Sequence, residues 1–257
     1  MNGEPIIQLI EVHKTFGAQH VLKGINLSIY QGKTTVIVGE SGQGKSSVIK
    51  HILGLVKPDS GKVLVYGKDI NQISKKDLKE IRTNFGVLFQ NAALFDSMTV
   101  FENVALPLRE RTKKKEEEIR VIVDEKLKMM DLEGSNDKYP AQLSGGMRKR
   151  VGLARALVLN PKIVFFDEPT TGLDVAKSND MYRVFFRTQS ALGYTAVIVS
   201  HDVPKIFKLA DYVTLMYQGV LQESLPPEDF QTSPNPVIRD FVEKTMGRIY
   251  DSEKVEG

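Results

Sequence analysis

The chain has 257 residues, of which 41% are hydrophobic and 26% are charged, a balance that predicts a globular α/β protein with ample apolar material for a core. The formal net charge is +3, and because basic residues are interleaved with acidic ones, the charge pattern gives no reason to expect a nucleic-acid partner. The absence of cysteine excludes disulfides, iron–sulfur clusters and thiolate zinc sites.

Hydropathy along the chain bears on any membrane role. The longest uninterrupted apolar runs, such as Ile163 to Phe166, are four residues long. A membrane-spanning helix needs about 20. The first residues, MNGEPIIQLIEVHK, lack a basic segment followed by an apolar one, the pattern of a secretory signal. We therefore expect any membrane role to be peripheral.

The first part of the chain predicts strands. Residues 6–38 contain IIQLIEV, INLSIY and KTTVIV, separated by glycine-containing turns. The third run leads directly into GESGQGKSS and then an apolar-periodic stretch, which predicts a strand, a glycine loop and a helix. Two further short strands are predicted in GKVLVYGKD and FGVLFQ.

From about residue 91 to about 160 the pattern becomes helical. One predicted helix carries an apolar face with helical spacing, formed by Ile119, Ile122, Val123, Leu127 and Met130. After Pro161, the apolar runs KIVFF, TAVIVS and YVTLMY alternate with helical segments, which predicts a parallel sheet covered by helices. We expect a single domain over residues 1–246, because there is no internal repeat, and a short polar tail over 247–257.

The glycine loop carries the strongest chemical pattern, G-x-x-x-x-G-K-S, formed by Gly39, Gly44, Lys45 and Ser46. Glycines let successive backbone N–H groups point inward at phosphates, and the helix that follows presents its positive end to the same anion. Lys45 supplies a charge for the β- and γ-phosphates, and the Ser46 hydroxyl is a ligand for Mg²⁺. The predicted phosphate-binding residues are Gly39, Glu40, Ser41, Gly42, Gln43, Gly44, Lys45, Ser46 and Ser47.

Two carboxylates follow the apolar run IVFF at the carboxyl end of a predicted buried strand. Ligands of parallel sheets bind at that edge. We expect Asp167 to hold Mg²⁺, directly or through water, and Glu168 to deprotonate the attacking water as general base. Adjacent acids at a strand end often only cap a helix, so this interpretation depends on their pairing with the phosphate loop.

A second glycine-containing segment, LSGGM, opens the helix MRKRVGLARALVL. Ser144, Gly145 and Gly146 form an exposed N–H cluster at a helix start and predict a second phosphate-binding surface. The alternative is an ordinary serine cap followed by flexible glycines.

The ordered set GESGQGKSS, Gln90, LSGGM, VFFDE, TTGLD and His201 resembles that of the ABC-type ATPases and spans nearly the whole chain. The resemblance implies a P-loop NTPase fold of the α/β class, with a mainly parallel sheet core, an N-terminal antiparallel β region and an inserted helical subdomain. It implies ATP and Mg²⁺ as ligands and ATP hydrolysis as the activity. In that family each site forms between the phosphate loop of one subunit and the LSGG segment of another, so we expect a dimer.

The same resemblance implies roles for residues that carry little information alone. Phe16, in KTFGAQ, resembles the aromatic residue that stacks on adenine. Gln90 resembles the Mg²⁺ ligand that links the site to the transmembrane partner. Asp174 resembles the acid that couples the two sites, and His201 the histidine that contacts the γ-phosphate. Read without the family, a lone histidine is more often structural and a lone phenylalanine is usually core.

Two positions depart from the family pattern. Met147 follows LSGG where glutamine is usual, and Gln43 replaces a commoner small residue in the phosphate loop. A methionine lacks the hydrogen-bonding capacity of an amide. Because the serine and glycine contacts remain, we expect ATP binding across the dimer to survive.

The stretch FGVLFQNAALFDSMTVFENVALPLRE, with LSGGM and SHDVPKIFKLAD, resembles ATPases of the maintenance-of-lipid-asymmetry (Mla) or MCE-type lipid transporters. This implies phospholipid transport through an integral permease, with an MCE-type substrate-binding subunit as a further candidate partner. It also implies a cytoplasmic location, peripheral on the inner face of the inner membrane. The alternatives are an ATPase for amino-acid import or lipoprotein release, and a soluble ABC ATPase such as a cluster-assembly factor. The segment's apolar residues are candidates for permease docking or for core packing: Leu94, Phe95, Met98, Val100 and Phe101.

Overall fold

The computed structural model describes residues 3–247. The strands in chain order are β1 (Pro5–Phe16), β2 (Gln19–Tyr30), β3 (Thr34–Val38), β4 (Ser60–Val65), β5 (Lys68–Asp69), β6 (Phe85–Leu88), β7 (Ile163–Asp167), β8 (Thr195–Val199), β9 (Tyr212–Tyr217) and β10 (Val220–Leu221). The helices are α1 (Lys45–Ile52), α2 (Lys75–Arg82), α3 (Val100–Arg111), α4 (Glu116–Met129), α5 (Gly145–Leu157), α6 (Val175–Leu192), α7 (Pro227–Gln231) and α8 (Pro236–Met246), with 3-10 turns at Pro140–Gln142 and Lys205–Leu209.

The N-terminal part of the chain forms an antiparallel sheet with the strand order β2-β1-β4-β5. Ile7 and Leu9, which alternate along β1, are buried, as expected for a strand with one covered face. A register irregularity between Leu9 and Val12 returns Val12 to the same core. The segment GKVLVYGKD forms two strands where the sequence predicted one, because Tyr66 and Gly67 take positive φ values and turn β4 back into β5.

The second sheet has the order β10-β9-β3-β8-β7-β6, with β6, β7, β8, β3 and β9 parallel and β10 antiparallel. Its central strands are buried on both faces, which explains their uninterrupted apolar sequences. Val36 and Phe166 point into one hydrophobic core, whereas Ile37 and Phe165 point into the other. The predicted parallel core and N-terminal antiparallel region are confirmed.

The helices α3, α4 and α5 pack against one another beside this sheet. The predicted apolar face of α4 is buried at Ile119, Val123 and Leu127, and Met130 just beyond it is also buried. Ile122 is partly buried against the same core. Residues 91–99, which the sequence pattern had included in the helical stretch, form turns instead, and α3 begins after the capping residue Thr99.

One acidic residue ties α4 to the helices that follow it. The Asp131 carboxylate lies 3.3 Å from the guanidinium of Arg150 in α5 and 2.9 Å from that of Arg187 in α6. The two arginines also donate to the carbonyls of Met130 and Met129. The end of α4 is therefore joined to both neighbouring helices at one point.

The candidate docking residues divide between core and surface. Val100 and Phe101 are buried, Leu94 and Met98 are partly buried, and the Phe95 side chain is 50% exposed. No helix within residues 3–247 is long and apolar enough to cross a membrane. The predicted polar tail lies outside the described residues apart from Gly247.

Asn103 provides a test of how the turns at 95–99 are held. Its fully buried side chain accepts from the Phe95 N–H and donates to the carbonyls of Phe95, Met98 and Thr99 at 3.0–3.1 Å. Because Asn103→Ala leaves these groups without that partner, we expect the free energy of unfolding to fall by about 1–3 kcal/mol. Urea denaturation measures the change, and Asn91→Ala, at an exposed position, is the control. Equal unfolding midpoints for the two variants would contradict this role.

Candidate functional site

The phosphate loop connects the end of β3 to the start of α1. Gly39, Gly42 and Gly44 have φ values of 145°, 82° and 103°, a region that side-chain-bearing residues rarely adopt. A Cβ atom added at Gly39 would also lie 2.4 Å from the Met216 carbonyl oxygen. Glycine at position 39 is therefore required both by backbone conformation and by the close approach of β9.

Lys45 lies at the first turn of α1, and its side chain is buried. The amine donates to the carbonyls of Gly39 at 2.9 Å and Glu40 at 2.8 Å, and lies 3.6 Å from a carboxylate oxygen of Glu168. Burial lowers the pKa of Lys45, and the Glu168 carboxylate opposes that shift. The loop thus concentrates a positive charge at its centre, beside the helix start.

The carboxyl end of β7 brings the first acid to the loop. The Ser46 hydroxyl donates to the Asp167 carboxylate at 2.6 Å, so α1 and β7 meet through two oxygen-bearing side chains. Gln90, exposed just after β6, lines the same cleft. A hydroxyl, a carboxylate and an amide oxygen suit Mg²⁺, which takes few protein ligands and completes its octahedron with phosphate oxygens and water. Residues 3–247 contain no cluster of three or more His, Cys, Asp or Glu side chains of the kind that holds a metal without such help.

Glu168 is the residue around which the catalytic candidates gather. Its φ of 50° is unusual for a non-glycine residue, and its N–H donates to the Val199 carbonyl of β8 at 2.9 Å. The carboxylate oxygen Oε2 accepts from the Thr171 hydroxyl at 2.7 Å and lies 2.6 Å from Nδ1 of His201. Oε1 is the oxygen that faces Lys45.

Lys45 and Glu168 border a cleft with a volume of about 370 Å³ at the carboxyl edge of the parallel sheet. The residues that line it are Ser41, Gly42, Gly44, Lys45, Ser46, Ser47, Gln90 and Glu168. A larger groove of about 930 Å³, lined in part by Tyr30, Tyr66 and Tyr212, lies at the opposite ends of β3 and β9 and contains none of the predicted site residues. Because only the smaller cleft contains predicted site residues, it is the better candidate for the functional site.

Two predicted binding residues, Phe16 and Gln43, are not among the residues that line this cleft. Phe16, at the end of β1, is 47% exposed, and the Lys14 amine lies 5.4 Å from the centre of its ring. Lys14 and the Thr15 N–H are both held by the Asp59 carboxylate at 2.7 Å. The Gln43 side chain turns away from the loop interior, and its oxygen accepts from the Gln218 N–H at 2.8 Å in the turn between β9 and β10.

The LSGG segment and Asp174 lie together, apart from the residues that line the cleft. Ser144 caps α5 by accepting from the Met147 N–H at 3.3 Å, and Asp174 caps α6 by accepting from the Lys177 N–H at 2.9 Å. A Cβ atom at Gly145 would lie 3.5 Å from Leu173, and one at Gly146 would lie 3.9 Å from Lys177. Within one chain, the serine therefore acts as a helix cap. Its two glycines lie next to the loop that contains Asp174.

The sequence analysis did not identify Lys149, which contacts the backbone of the candidate base Glu168. Lys149 of α5 is 6% exposed, and its amine lies 3.4 Å from the Glu168 carbonyl oxygen. Burial lowers the pKa of Lys149 to about 8, against an opposing effect of Glu168. Helical spacing carried the signal, since Lys149 lies four residues after Gly145 and three before Gly152, which packs closely on Leu88 and Ala92.

A family model described as "ABC transporter" matches residues 22–171. The chain belongs to this family. The matched region contains the phosphate loop, Gln90, the LSGG segment and both acids of the β7 end. The protein is therefore a nucleotide-binding, ATP-hydrolysing subunit of ABC type, as the motif order predicted.

Similar proteins extend the comparison over most of the chain. "Probable ribonucleotide transport ATP-binding protein mkl" of Mycobacterium leprae (strain TN) is 43% identical over 249 residues, covering 96% of this chain and 72% of the relative. "Intermembrane phospholipid transport system ATP-binding protein MlaF" of Escherichia coli (strain K12) is 36% identical over 238 residues, covering 93% and 88%.

Solved structures agree in fold. The cbiO1 protein of Clostridium perfringens, described as part of the ABC transporter complex cbiONQ, has a TM-score of 0.81 and 33% identity, covering 96% of this chain and 98% of its own. The cassette MJ0796, described as dimeric in a post-hydrolysis state bound to ADP and Pi, has a TM-score of 0.78 and 33% identity, covering 86% and 98%. These two similarities confirm the expected fold class.

The burial of Lys149 predicts a pH effect on stability. As pH rises from about 8 to 10.5, the folded chain releases the Lys149 proton before the unfolded chain does. The contribution of this group to the free energy of unfolding therefore increases over this window. Lys149→Met removes that contribution, and the stability of the wild type relative to the variant should rise over this window by about 3 kcal/mol at most. Urea titrations at several pH values measure the difference. Lys128→Met, at an exposed lysine, is the control. A stability difference between the wild type and Lys149→Met that does not change with pH would contradict the prediction.

Proposed function

We propose that this chain powers the movement of phospholipid through an integral membrane permease by binding and hydrolysing ATP at the cleft between the phosphate loop and the end of β7. The main support for this proposal is that Lys45, Glu168 and His201 converge at one edge of the parallel sheet, with the Ser46–Asp167 pair beside them. Phosphoryl transfer requires this combination of fixed positive charge, a metal-binding oxygen set and a positioned base.

In this proposal the phosphate-loop backbone and Lys45 hold the ATP phosphates, and Phe16 stacks on the adenine. Ser46, Asp167 and Gln90 hold Mg²⁺, which would neutralise the charge that builds up on the phosphates. Gln43, although it belongs to the loop sequence, contributes by bracing the loop against the β9–β10 turn, since its side-chain oxygen is engaged by Gln218.

Glu168 acts as the general base. Its oxygen Oε1 faces Lys45, while Thr171 and His201 engage Oε2, so the carboxylate is held on both sides before any substrate water reaches it. Fixing the base in this way lowers the entropic cost of aligning it with a water at the γ-phosphate. His201, which is half exposed, can reach the γ-phosphate from the same side.

Replacing Glu168 tests the base directly. Glu168→Gln preserves size and hydrogen bonding but removes proton acceptance, so hydrolysis should fall by roughly 10²-fold or more while ATP binding persists. Phosphate release measures the first quantity and equilibrium binding of a fluorescent ATP analogue the second. Glu133→Gln, at a surface acid paired loosely with Lys128, should leave both unchanged. Turnover close to that of the wild type in Glu168→Gln would remove this residue from the mechanism.

The LSGG segment serves a second copy of the chain. Ser144, Gly145, Gly146 and Asp174 form one contiguous surface that does not line the cleft of their own chain. The N–H groups at the start of α5 suit an anion. The dimeric state described for the similar cassette MJ0796 supports a head-to-tail dimer in which this surface closes on the partner's ATP. Asp174 then lies at the junction between the two sites.

Mixing two inactive variants tests the shared site. Lys45→Ala removes a phosphate charge, and Ser144→Arg obstructs the helix start, so each homodimer has one defective half in every site. A mixed dimer carries both lesions in one site and leaves the other intact. We expect the mixture to regain hydrolysis, together with ATP-dependent heterodimers detected by differently tagged copies. A mixture that neither hydrolyses ATP nor forms such heterodimers would contradict the intersubunit role of LSGG.

We assign the domain organisation in the same terms. Residues 1–246 act as one ATPase unit, residues from about 91 to 160 as its helical subdomain, and 247–257 as a polar extension. The exposed Phe89 and Phe95 flank Gln90 and the turns before α3, and they offer an apolar contact for a loop of the permease. This contact would hold the chain at the cytoplasmic face of the inner membrane and link it, through the permease, to an MCE-type subunit.

The substrate assignment rests on similarity to MlaF, named for intermembrane phospholipid transport, together with the resemblance of residues 85–110 and the LSGGM segment. Ribonucleotide is the second candidate, because the relative with 43% identity is named for ribonucleotide transport.

Purification of the native complex separates these candidates. We expect an affinity-tagged chain, extracted from its native membranes in mild detergent, to bring an integral subunit and phospholipid with it. Mass spectrometry identifies both, and a tagged Phe95→Asp chain should lose the integral subunit while keeping ATP binding. Enrichment of ribonucleotide other than ATP in place of lipid would support the second candidate. Recovery without any integral subunit would contradict both transport functions.

A further inference from the structure

The hydroxyl of Tyr182, in the second turn of α6, lies between two loops that bear catalytic candidates. It donates to the Asp202 carboxylate at 2.6 Å and lies 3.2 Å from the Thr170 hydroxyl. The Thr170 hydroxyl is itself 3.4 Å from the same Asp202 oxygen. The three groups therefore form a closed triangle, in which the Tyr182 and Thr170 side chains are buried.

Each loop member of this triangle is the chain neighbour of a residue that holds the proposed base. Thr170 precedes Thr171, whose hydroxyl donates to Oε2 of Glu168. Asp202 follows His201, whose ring nitrogen contacts the same oxygen. Tyr182 thus forms no hydrogen bond with Thr171 or His201, but it is hydrogen-bonded to the residue next to each of them.

We propose that Tyr182 is a positioning residue for hydrolysis, which holds the Thr170–Thr171 and His201–Asp202 segments at the separation that lets both engage one oxygen of Glu168. The inference rests on the proposed role of Glu168 as general base. It also assigns α6, which begins at the Asp174 junction, a direct mechanical link to the base, because movement of α6 displaces the Tyr182 hydroxyl.

The hydroxyl is not needed for packing. The ring packs edge-on against Phe185 at 6.2 Å between centroids, and a phenylalanine would keep that contact. Burial and the neighbouring Asp202 raise the pKa of Tyr182, so the hydroxyl remains protonated and acts as the donor to the carboxylate. The hydroxyl thus contributes a short hydrogen bond that fixes the position of Asp202.

Tyr194 offers a matched control on the same layer of the fold. Its side chain is 2% exposed, and its hydroxyl lies 2.9 Å from the Thr188 hydroxyl and 3.4 Å from the Phe185 carbonyl oxygen. Tyr194→Phe therefore removes a buried hydroxyl of the same kind, whose partners Thr188 and Phe185 both belong to α6 and to neither catalytic loop. Both tyrosine variants should lower Tm to a similar extent.

The steady-state parameters then separate positioning from general destabilisation. Tyr182→Phe should lower kcat for ATP hydrolysis roughly 10-fold while KM for ATP changes less than about two-fold, because the base loses alignment and the phosphate loop is untouched. Tyr194→Phe should leave both parameters within about two-fold. A drop in kcat shared equally by the two variants, or no drop in either, would overturn the proposal.

A double-mutant cycle with Glu168→Gln tests whether Tyr182 acts through the base. In the Glu168→Gln background, single-turnover hydrolysis should be insensitive to Tyr182→Phe, whereas independent effects would multiply. If Tyr182→Phe does not fold, Asp202→Asn replaces it, since the amide weakens the acceptor without removing volume, and the same loss of kcat is expected. Undiminished hydrolysis in Glu168→Gln alone would refute the proposed base. A severe loss there with a normal kcat in Tyr182→Phe would refute only the positioning role.

Discussion

The carboxylate of Glu168 is the point at which three separate segments of the chain meet. Lys45 comes from the phosphate loop and α1, Thr171 from the turn after β7, and His201 from the end of β8. The backbone N–H of Glu168 is in turn fixed to β8 through Val199. A positive φ of 50° at such a residue costs free energy, and that cost is sustained because the surrounding contacts overdetermine the conformation.

The phosphate loop depends on a second set of contacts, which come from the opposite side. The turn between β9 and β10 supplies the Gln218 N–H to Gln43, while the Met216 carbonyl leaves space for no side chain at Gly39. Gly219 of the same turn accepts from the Lys23 N–H of β2. One short hairpin therefore joins the antiparallel sheet to the loop, so that the part of the fold carrying Phe16 and the part carrying Lys45 keep a fixed separation.

Much of the candidate site could be predicted from the sequence, because its residues occur in contiguous motifs on a strand, a loop and a helix. The roles of Lys149 and Tyr182 were not predicted, since long-range packing rather than chain proximity brings Lys149 to the Glu168 carbonyl and Tyr182 to the loops beside it. Residues 91–99 were wrongly included in a helical stretch because their apolar composition suits one. Ala92 and Ala93 instead take positive φ values, and Asn103 satisfies the backbone groups that a helix would have used. Helix α2 escaped prediction because Ile81 is its only buried residue.

The ion pairs of Asp131 with Arg150 and Arg187 have a mechanical consequence. Three half-exposed or partly exposed charged side chains meet there, and ion pairs of that kind contribute roughly 0–1 kcal/mol each and weaken as ionic strength rises. The contact is thus specific in geometry but low in energy, and it resists displacement much less than the apolar interior beside it does. These ion pairs attach the layer formed by α3, α4 and α5 to α6 in a way that yields easily. The stiffness of this attachment varies with the salt concentration around the protein.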